Sequence, residues 1–328
     1  MIVLHVVAQV SPPSSLDVFL TKLIDGVSLG AIYALLALGF VIIFKSTQVL
    51  SFTHGAVAAV GAYLVAYFVT VINWPGRYLG GLPATLRWTI SVLFALLAAA
   101  AVGMAIERVF IRPMIGEPIF SVAMITIGVE IVLRTTVGDL LGQGSNLSVG
   151  SPWGLLSLSN LSGVIVPHVF VAAIVTAAIV VVGLAVFFRT RTGVAMRATA
   201  FDQEAAMAQG ISAGRIFALA WALGAALAAL GGIFSSIAPR GFGVTGGTAF
   251  VAFRAFPAII IGGLDSVVGA VVGGVTIGVA EIMTGHYLAQ YSGTLGAGFN
   301  GIVPYLLMLG FLLVRPYGIF GTEEIRRV

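Results

Sequence analysis

Few side chains in this chain are of the types that catalyse reactions or bind ligands. Its 328 residues include 16 basic and 12 acidic side chains, four histidines and no cysteine. The phosphate-binding motif GxxxxGK followed by Ser or Thr is absent, and neither Lys22 nor Lys45 follows a glycine. No Ser/His/acid arrangement and no pair of carboxylates at catalytic spacing is evident. We therefore expect no catalysis, no bound ATP and no bound metal ion in this chain.

One stretch, which we call the polar segment (residues 189–215), concentrates the charges. It reads RTRTGVAMRATAFDQEAAMAQGISAGR and lies between two apolar runs that are each long enough to cross a bilayer. Because charged arginine is costly inside hydrocarbon, the segment must lie in water at a membrane face. Residues 198–209 are rich in helix formers and Gly210 suits a left-handed cap, so one short amphipathic helix is predicted. The charged residues of the segment are Arg189, Arg191, Arg197, Asp202, Glu204 and Arg215.

The acidic and small residues of this predicted helix have two alternative roles. Small side chains beside one acid, as in Glu204, Ala205 and Ala206, would let a helix enter a groove on a partner protein. Gly210 would then turn the chain back towards the membrane. An amphipathic helix that rests on lipid headgroups would have the same composition. The spacing alone leaves both roles open.

A second set of charges lies inside apolar runs. Glu130 and Arg134 are four residues apart, so they share one helix face and are expected to pair. Such a pair can serve a function, or it can be a structural bridge in which each charge satisfies the other. Glu281 lies near the end of its run and is expected to reach the membrane interface. His54 and the other histidines have no second ligand nearby, so they are not expected to bind a metal.

These residues must be positioned by membrane helices. Hydrophobic residues make up 59% of the chain and charged residues 9%, with a mean hydropathy of +1.11. A soluble domain has about a quarter charged residues. Continuous apolar runs of helical length predict an all-α, polytopic transmembrane bundle that forms a single domain over residues 1–328. The predicted runs are residues 18–44, 56–72, 88–106, 119–141, 167–188, 216–238, 255–284 and 301–314.

The seventh run is long for one crossing, and Gly262-Gly263-Leu264-Asp265-Ser266 interrupts it. We predict a half-helix over residues 256–261, a break, and a full helix over residues 267–284, which gives eight to nine crossings in all. Unpaired backbone groups of broken helices tend to line substrate paths. Asp265 would therefore cap the second helix or contact substrate or a partner. Four glycines of this helix have the spacing of close helix packing: Gly269, Gly273, Gly274 and Gly278.

The basic residues predict the orientation of the bundle. With the polar segment in the cytoplasm, counting alternate crossings puts ten basic residues inside and four outside, in agreement with the positive-inside rule. Arg315, Arg326 and Arg327 then make the C-terminus cytoplasmic, and the N-terminus lies outside. Because the basic residues are scattered among loops, nucleic acid is not an expected partner.

Four stretches, in order along nearly the whole chain, carry a family resemblance. They are residues 26–64, beginning GVSLGAIYALLALGF; residues 191–234, beginning RTGVAMRATAFDQEAAMAQG; residues 255–281, AFPAIIIGGLDSVVGAVVGGVTIGVAE; and residues 315–321, RPYGIFG. Together they resemble the LivH-type permeases of ATP-binding-cassette (ABC) importers for branched-chain amino acids. One departure is the turn SFTHG, residues 51–55, where the family usually has Asn before the Phe and Ala after it.

The resemblance implies an ABC importer permease fold and a set of partners. These are a second, homologous permease, two cytoplasmic ATPase subunits that hold ATP and Mg²⁺, and a periplasmic or lipid-anchored substrate-binding protein. It also implies that part of the polar segment couples the permease to the ATPases. The residues concerned are Arg197, Asp202, Glu204, Ala205, Ala206 and Gly210.

The hypothesis from the sequence is a permease subunit that moves branched-chain amino acids across the bacterial inner membrane. A permease for urea, amides or other amino acids would share this architecture. Two alternatives belong to other classes of protein. One is an ion-coupled secondary transporter or channel, which would use the intramembrane charges for coupling. The other is a structural scaffold. The passage would need polar groups for the ammonium and carboxylate of the substrate and apolar walls for its side chain. Candidate residues of the passage are Ser28, Tyr33, Thr53, His54, Asp265 and Ser266.

Overall fold

A computed structural model of the chain describes residues 14–142, 146–153, 158–161, 163–296 and 298–321. Residues 1–13 and the tail with Arg326 and Arg327, on which part of the predicted orientation rests, lie outside the described residues. The described helices are α1 (Ser15–Thr47), α2 (His54–Ala66), α3 (Ala84–Ile106), α4 (Ile119–Gly142), α5 (His168–Phe187), α6 (Arg191–Phe201), α7 (Gln203–Ala208), α8 (Ala213–Ser235), α9 (Val251–Gly262), α10 (Val267–Tyr287), α11 (Ser292–Leu295) and α12 (Val303–Val314).

The all-helical prediction is confirmed. Seven of the described helical segments are long and apolar enough to cross a membrane, and a bent pair over residues 289–295 and 299–314 would make an eighth. One antiparallel hairpin, β1 (Leu158–Leu161) and β2 (Val164–Pro167), precedes α5. At the ends of α2 and α3 the helix continues as a π-helical turn, Tyr67–Val71 and Glu107–Ile111 respectively.

The bundle is built around α1. This helix has 33 residues, and at 1.5 Å per residue it rises about 50 Å. It begins at a capping box in which the Ser14 hydroxyl accepts the backbone N–H of Asp17. Every residue from 28 to 43 is buried, because α5, α8, α9 and α10 all pack along α1. Over this stretch α1 is therefore enclosed by protein and not by lipid.

Glycine allows α1 and α10 to approach closely. A Cβ atom at Gly30 would lie 2.6 Å from the Cα atom of Val275, and a Cβ atom at Gly278 would collide with the backbone of Gly30. Gly274 meets α1 in the same way, since its Cβ atom would lie 2.9 Å from the Cα atom of Ala34. No side chain larger than hydrogen fits at these positions while the backbones stay where they are.

The opposite side of α10 makes a second close contact, with α9. A Cβ atom at Gly269 would collide with the carbonyl of Gly262, and one at Gly273 would collide with the carbonyl of Ala258. The four glycines of α10 that the sequence singled out therefore lie on two helix interfaces. Two of them face α1 and two face α9.

The break between α9 and α10 lies where it was predicted, but α9 is longer than the predicted half-helix. Gly263 has a φ of +106°, which ends α9 and turns the chain into α10. At its other end α9 begins at Val251, five residues before the predicted start, and follows a 3₁₀ turn capped by Thr245. The charged side chain of Arg254 interrupts the apolar run, so hydropathy alone placed the helix start after it.

The outer helices expose large apolar side chains. In water these side chains would be unfavourably hydrated, whereas a lipid bilayer provides an apolar surrounding for them. The arrangement is that of a multi-pass membrane protein. Representative exposed residues of α3, α4 and α5 are Leu93, Leu97, Ile131, Val132, Ile179 and Val182.

The α1–α10 contact predicts the effect of one methyl group. Gly278→Ala should force the two backbones apart and destabilise the bundle by about 1–3 kcal/mol. The purified protein in detergent should then melt at a lower temperature than the unsubstituted chain. Gly183→Ala is the matched control, because a Cβ atom there meets open space on α5. A melting temperature that is equal for the two variants would contradict the packing role.

Candidate functional site

The polar segment forms two helices, and the single predicted helix over residues 198–209 is wrong. Between α6 and α7, Asp202 is extended, with φ −152° and ψ 106°. Its carboxylate accepts the backbone N–H of Ala205 at 2.9 Å and so caps the N-terminus of α7. Asp favours this cap over a helix interior, which explains why the chain breaks here despite the helix formers on both sides. Gly210 follows α7 with a φ of +83°.

Most of the predicted coupling residues face outwards. Arg197, Asp202, Glu204, Ala205 and Gly210 are exposed, whereas Ala206 is buried against the bundle. Ala206 is the buried residue of α7, and Glu204, Ala205, Met207 and Ala208 on either side of it are exposed. The outward set forms one polar surface at this end of the bundle.

Sequence reasoning missed Phe201 on the same surface. Its side chain is 96% exposed and directly precedes the Asp202 cap. With the exposed side chains of Val194 and Met207, it gives this charged stretch apolar surface that is available for a contact. The signal in the sequence was a single aromatic residue inside the polar run.

The polar segment is fastened to the bundle at two places. Met196 and Thr199 of α6 are buried, and α6 packs against both α1 and α8. At the start of α8, the guanidinium of Arg112 donates to the carbonyl of Gly214 at 2.8 Å. The same guanidinium binds Glu107 with two hydrogen bonds of 3.0 and 2.9 Å, and the Glu107 carboxylate is fully buried.

A cavity lies between the polar segment and the bundle. Its volume is about 350 Å³. It is lined by residues from the end of α1, the turn after α3, the polar segment and α8, so α6 and α7 are only partly packed against the helices behind them. Lining residues include Ser46, Val49, Ile111, Thr199, Gln203 and Phe217.

Four of the predicted passage residues are enclosed within the chain's own bundle. The Tyr33 hydroxyl donates to Glu281 at 2.7 Å, and the Thr53 hydroxyl shares a hydrogen bond of 2.7 Å with Ser51. His54 Nε2 lies 3.0 Å from the carbonyl of Leu36. These residues are 1–4% exposed, as is Ser28. The contact of Tyr33 joins α1 to α10, and that of His54 joins α2 to α1.

The Ser28 hydroxyl has no hydrogen-bond partner among the described residues. It lies on α1 between Gly26 and Gly30, the two glycines that contact α10. A hydroxyl at such a close contact adds little volume to the helix surface.

The break at Gly263 does not leave its carbonyls unpaired, contrary to the sequence-based expectation. The backbone N–H groups of Ile319 and Phe320 donate to the carbonyls of Ile261 and Gly262 at 2.8 and 3.1 Å. The RPYGIFG stretch near the C-terminus thus closes the end of α9. Because a short chain segment supplies these bonds from a distant part of the sequence, hydropathy around the break could not reveal them.

The two polar residues of the break, Asp265 and Ser266, also make contacts within the protein. Ser266, not Asp265, caps α10, since its hydroxyl accepts the backbone N–H of Gly269 at 3.0 Å. The Lys45 ammonium donates to the carbonyl of Asp265 at 3.2 Å and links the end of α1 to the break. Both residues lie at the same end of the bundle as the polar segment, because Lys45 is in the last turn of α1 and α6 packs against α1.

The intramembrane charges have partners in the described part of the chain. Glu130 and Arg134 form a salt bridge of 2.8 Å, and the Arg134 guanidinium lies 5.3 Å from the centre of the Phe250 ring. Glu281 was expected to reach the membrane interface. It is instead buried inside the bundle and is only 3% exposed. It accepts the Tyr33 hydroxyl, and its other oxygen lies 3.6 Å from Arg254.

The fold and these sites define a class of protein, a multi-pass helical membrane protein with polar groups inside its bundle and one exposed polar segment. Comparison with known proteins narrows this class. The model of the family described as "Branched-chain amino acid transport system / permease component" matches residues 22–312. The chain belongs to this family.

Curated relatives agree with this assignment. The chain is 31% identical to the high-affinity branched-chain amino acid transport system permease protein BraD of Pseudomonas aeruginosa, over 94% of this chain and 98% of the relative. It is 32% identical to the permease protein LivH of Salmonella typhimurium, with the same coverage. A probable LivH of Methanocaldococcus jannaschii is 27% identical, over 88% of each chain. The relatives are permease subunits of transport systems.

From the contacts of Arg112 we expect this residue to hold the polar segment against the bundle. Arg112→Ala should leave the Glu107 carboxylate buried without its partner, a loss of about 3 kcal/mol, and should free the start of α8. Trypsin should then cut the polar segment faster, as measured by mass spectrometry of the fragments. Arg108→Ala is the matched control, because Arg108 is exposed four residues away. Glu107→Gln combined with Arg112→Ala should recover part of the stability. Equal cutting of both single variants would show that Arg112 does not fasten the segment.

Proposed function

We propose that this chain is the membrane-spanning subunit of an ATP-driven importer for branched-chain amino acids in the bacterial inner membrane. The observation that carries the proposal is the family match over residues 22–312. Near full-length similarity to permease proteins of branched-chain amino acid transport supports the choice of substrate. The polar segment would lie in the cytoplasm, with the N-terminus outside and the C-terminus inside, because this orientation places most basic residues in the cytoplasm.

The energy for transport would come from other subunits. The sequence has no GxxxxGK phosphate-binding motif, so two cytoplasmic ATPase subunits would hold ATP and Mg²⁺. A second, homologous permease would complete the passage. A periplasmic or lipid-anchored binding protein would deliver the amino acid. These partners follow from the family resemblance.

The exposed surface of the polar segment would be the site where an ATPase docks. Phe201 and Glu204 lie on this surface, and Asp202 holds α7 in place by its cap. Burial of one exposed phenyl ring in a partner groove contributes about 1.5–3 kcal/mol to association. The carboxylate of Glu204 would fix the orientation of the docked ATPase, because charged groups at the rim of an interface determine register more than affinity.

Movement of the docked ATPases would reach the bundle through α6. When the two ATPases close on ATP, they would push on the polar segment. Met196 and Thr199 would pass this displacement to α1 and α8, against which α6 packs. The cavity of about 350 Å³ behind the segment gives α6 room to move before the bundle itself responds.

Reconstitution into proteoliposomes tests the source of energy. With the second permease, the ATPases and the binding protein present, uptake of radiolabelled leucine should require Mg·ATP and should stop when the ATPases are omitted. Uptake driven by an ion gradient without ATPases would contradict the proposal and favour a secondary transporter. Uptake of urea or acetamide in place of leucine would retain the ABC class but reassign the substrate.

Two substitutions test the docking surface. Phe201→Ala should weaken binding of the ATPase subunits about tenfold or more, because the buried phenyl area is lost. Glu204→Lys should abolish ATP-dependent uptake while the chain stays in the membrane, since a reversed charge opposes the docked orientation. Binding is measured by co-purification in detergent, and uptake in proteoliposomes.

Matched controls exist at the same end of the bundle. Phe120→Ala removes a phenyl ring that is 72% exposed, and Glu117→Lys reverses an exposed acid, both outside the polar segment. Both controls should bind the ATPases and support uptake as the unsubstituted chain does. Controls that fail as severely as Phe201→Ala and Glu204→Lys would remove the docking role from the polar segment.

A further inference from the structure

A half-exposed row of phenyl rings runs along α9 beside a guanidinium. Phe250, Phe253 and Phe256 follow one another at three-residue spacing, and neighbouring ring centres lie 6.1 and 5.9 Å apart. The row continues to Phe52, whose ring centre lies 6.0 Å from that of Phe256. We call these four residues the phenyl strip. Phe250 is exposed and the other three are half-buried, so the strip forms an apolar surface that the chain does not cover.

Arg254 lies on the same helix, next to Phe253 and one helical turn after Phe250. Its side chain is 57% exposed, and its ion pair with Glu281 measures 3.6 Å. The other three salt bridges of the described residues are 2.7–2.9 Å long. At 3.6 Å the contact is too long for a hydrogen bond, so the guanidinium keeps its donors available.

Glu281 is the complementary group. Its Oε2 atom accepts the Tyr33 hydroxyl at 2.7 Å, which fixes the carboxylate, while Oε1 faces Arg254. The carboxylate side chain is 4% exposed, and in the described ranges only Arg254 offers it a positive charge. A buried carboxylate whose second oxygen lacks a short hydrogen bond attracts a cationic donor strongly.

These three features match the three parts of an α-amino acid with an apolar side chain. We propose that Arg254, Glu281 and the phenyl strip form this chain's half of the substrate passage and bind a zwitterionic amino acid as it passes. Arg254 turns towards the substrate carboxylate, Glu281 Oε1 accepts from the ammonium, and the phenyl strip contacts the branched side chain. One long ion pair is exchanged for two charged contacts with the substrate.

The location of these groups agrees with a passage between two permeases. Glu281 lies 15 residues beyond the Ser266 cap of α10, about 22 Å along the helix from the break. Phe250, Phe253 and Arg254 remain partly exposed, whereas Phe256 packs against Phe40 of the enclosed helix α1, with ring centres 5.3 Å apart. A homologous permease facing this surface would close the passage. The inference rests on the proposed function and adds to it the residues that contact the substrate.

A single thiol tests whether the strip lines a passage. The chain has no cysteine, so Phe253→Cys introduces the only thiol, and modification is read as a mass shift of this chain alone. In the assembled complex in proteoliposomes, a charged, water-soluble methanethiosulfonate should label it, and saturating leucine should slow the labelling. Leu97→Cys, at a 67% exposed position on α3 that faces lipid, should stay unlabelled. Absence of labelling at position 253, or labelling that leucine does not slow, would overturn the proposal.

Charge variants test the two polar contacts. In a complex whose unsubstituted form shows ATP-dependent leucine uptake, Arg254→Ala and Glu281→Gln should each lower uptake by about 30-fold, while ATP hydrolysis continues. Arg254→Lys should retain part of the uptake, and Arg77→Ala, an exposed arginine in the loop after α2, should retain all of it. Failure of the unsubstituted complex to take up leucine would count against the proposed function itself. Uptake unchanged in both variants, or uptake and hydrolysis lost in parallel, would overturn only the inference.

Discussion

The close approach of α1 and α10 is the constraint on which the interior depends. Gly30 and Gly278 bring the two antiparallel backbones into contact, and Tyr33 and Glu281 reach across this contact from its two sides to form a hydrogen bond of 2.7 Å. Each of these residues lies one turn beyond its glycine on its own helix, so the hydrogen bond depends on the close approach that the glycines allow. A larger residue at either glycine would move the carboxylate as well as the helix. Packing and polar chemistry are therefore set by the same pair of positions.

Three carboxylates are buried in the described part of the chain, and each has an arginine nearby. Glu107 and Glu130 hold their arginines at 2.9 and 2.8 Å, with a geometry that offsets much of the cost of burial. Glu281 differs, since a tyrosine hydroxyl supplies its short hydrogen bond and its arginine lies 3.6 Å away. Both short pairs are local, since Glu130 and Arg134 are four residues apart on α4 and Glu107 and Arg112 are five residues apart at the end of α3. The long pair leaves an arginine whose charge a ligand can use, which distinguishes the Glu281 group from the two structural bridges.

The sequence predicted the helices well where their identity depends on composition. Every long apolar run forms a helix, and the break at Gly263 was visible because glycines and a charge interrupt hydrophobic sequence. It failed where the outcome depends on local competition or on distant partners. Asp202 caps a new helix inside a run of helix formers, and the C-terminal residues Ile319 and Phe320 satisfy the break from about 60 residues away. The contact of Glu281 with Tyr33, across 248 residues, has no local signal either. The sequence could therefore list the charged residues of the site but could not say which of them meet.

The two ends of α9 are held by different contacts. At the break, backbone hydrogen bonds from Ile319 and Phe320 join α9 to the C-terminal stretch, and Lys45 joins the break to the end of α1. A displacement of α1 at this end therefore carries the break with it. Towards the start of α9, the polar side-chain contact to α10 is the 3.6 Å pair between Arg254 and Glu281. The two helices can separate there without losing a short hydrogen bond, whereas a displacement of the break would cost its backbone hydrogen bonds to Ile319 and Phe320.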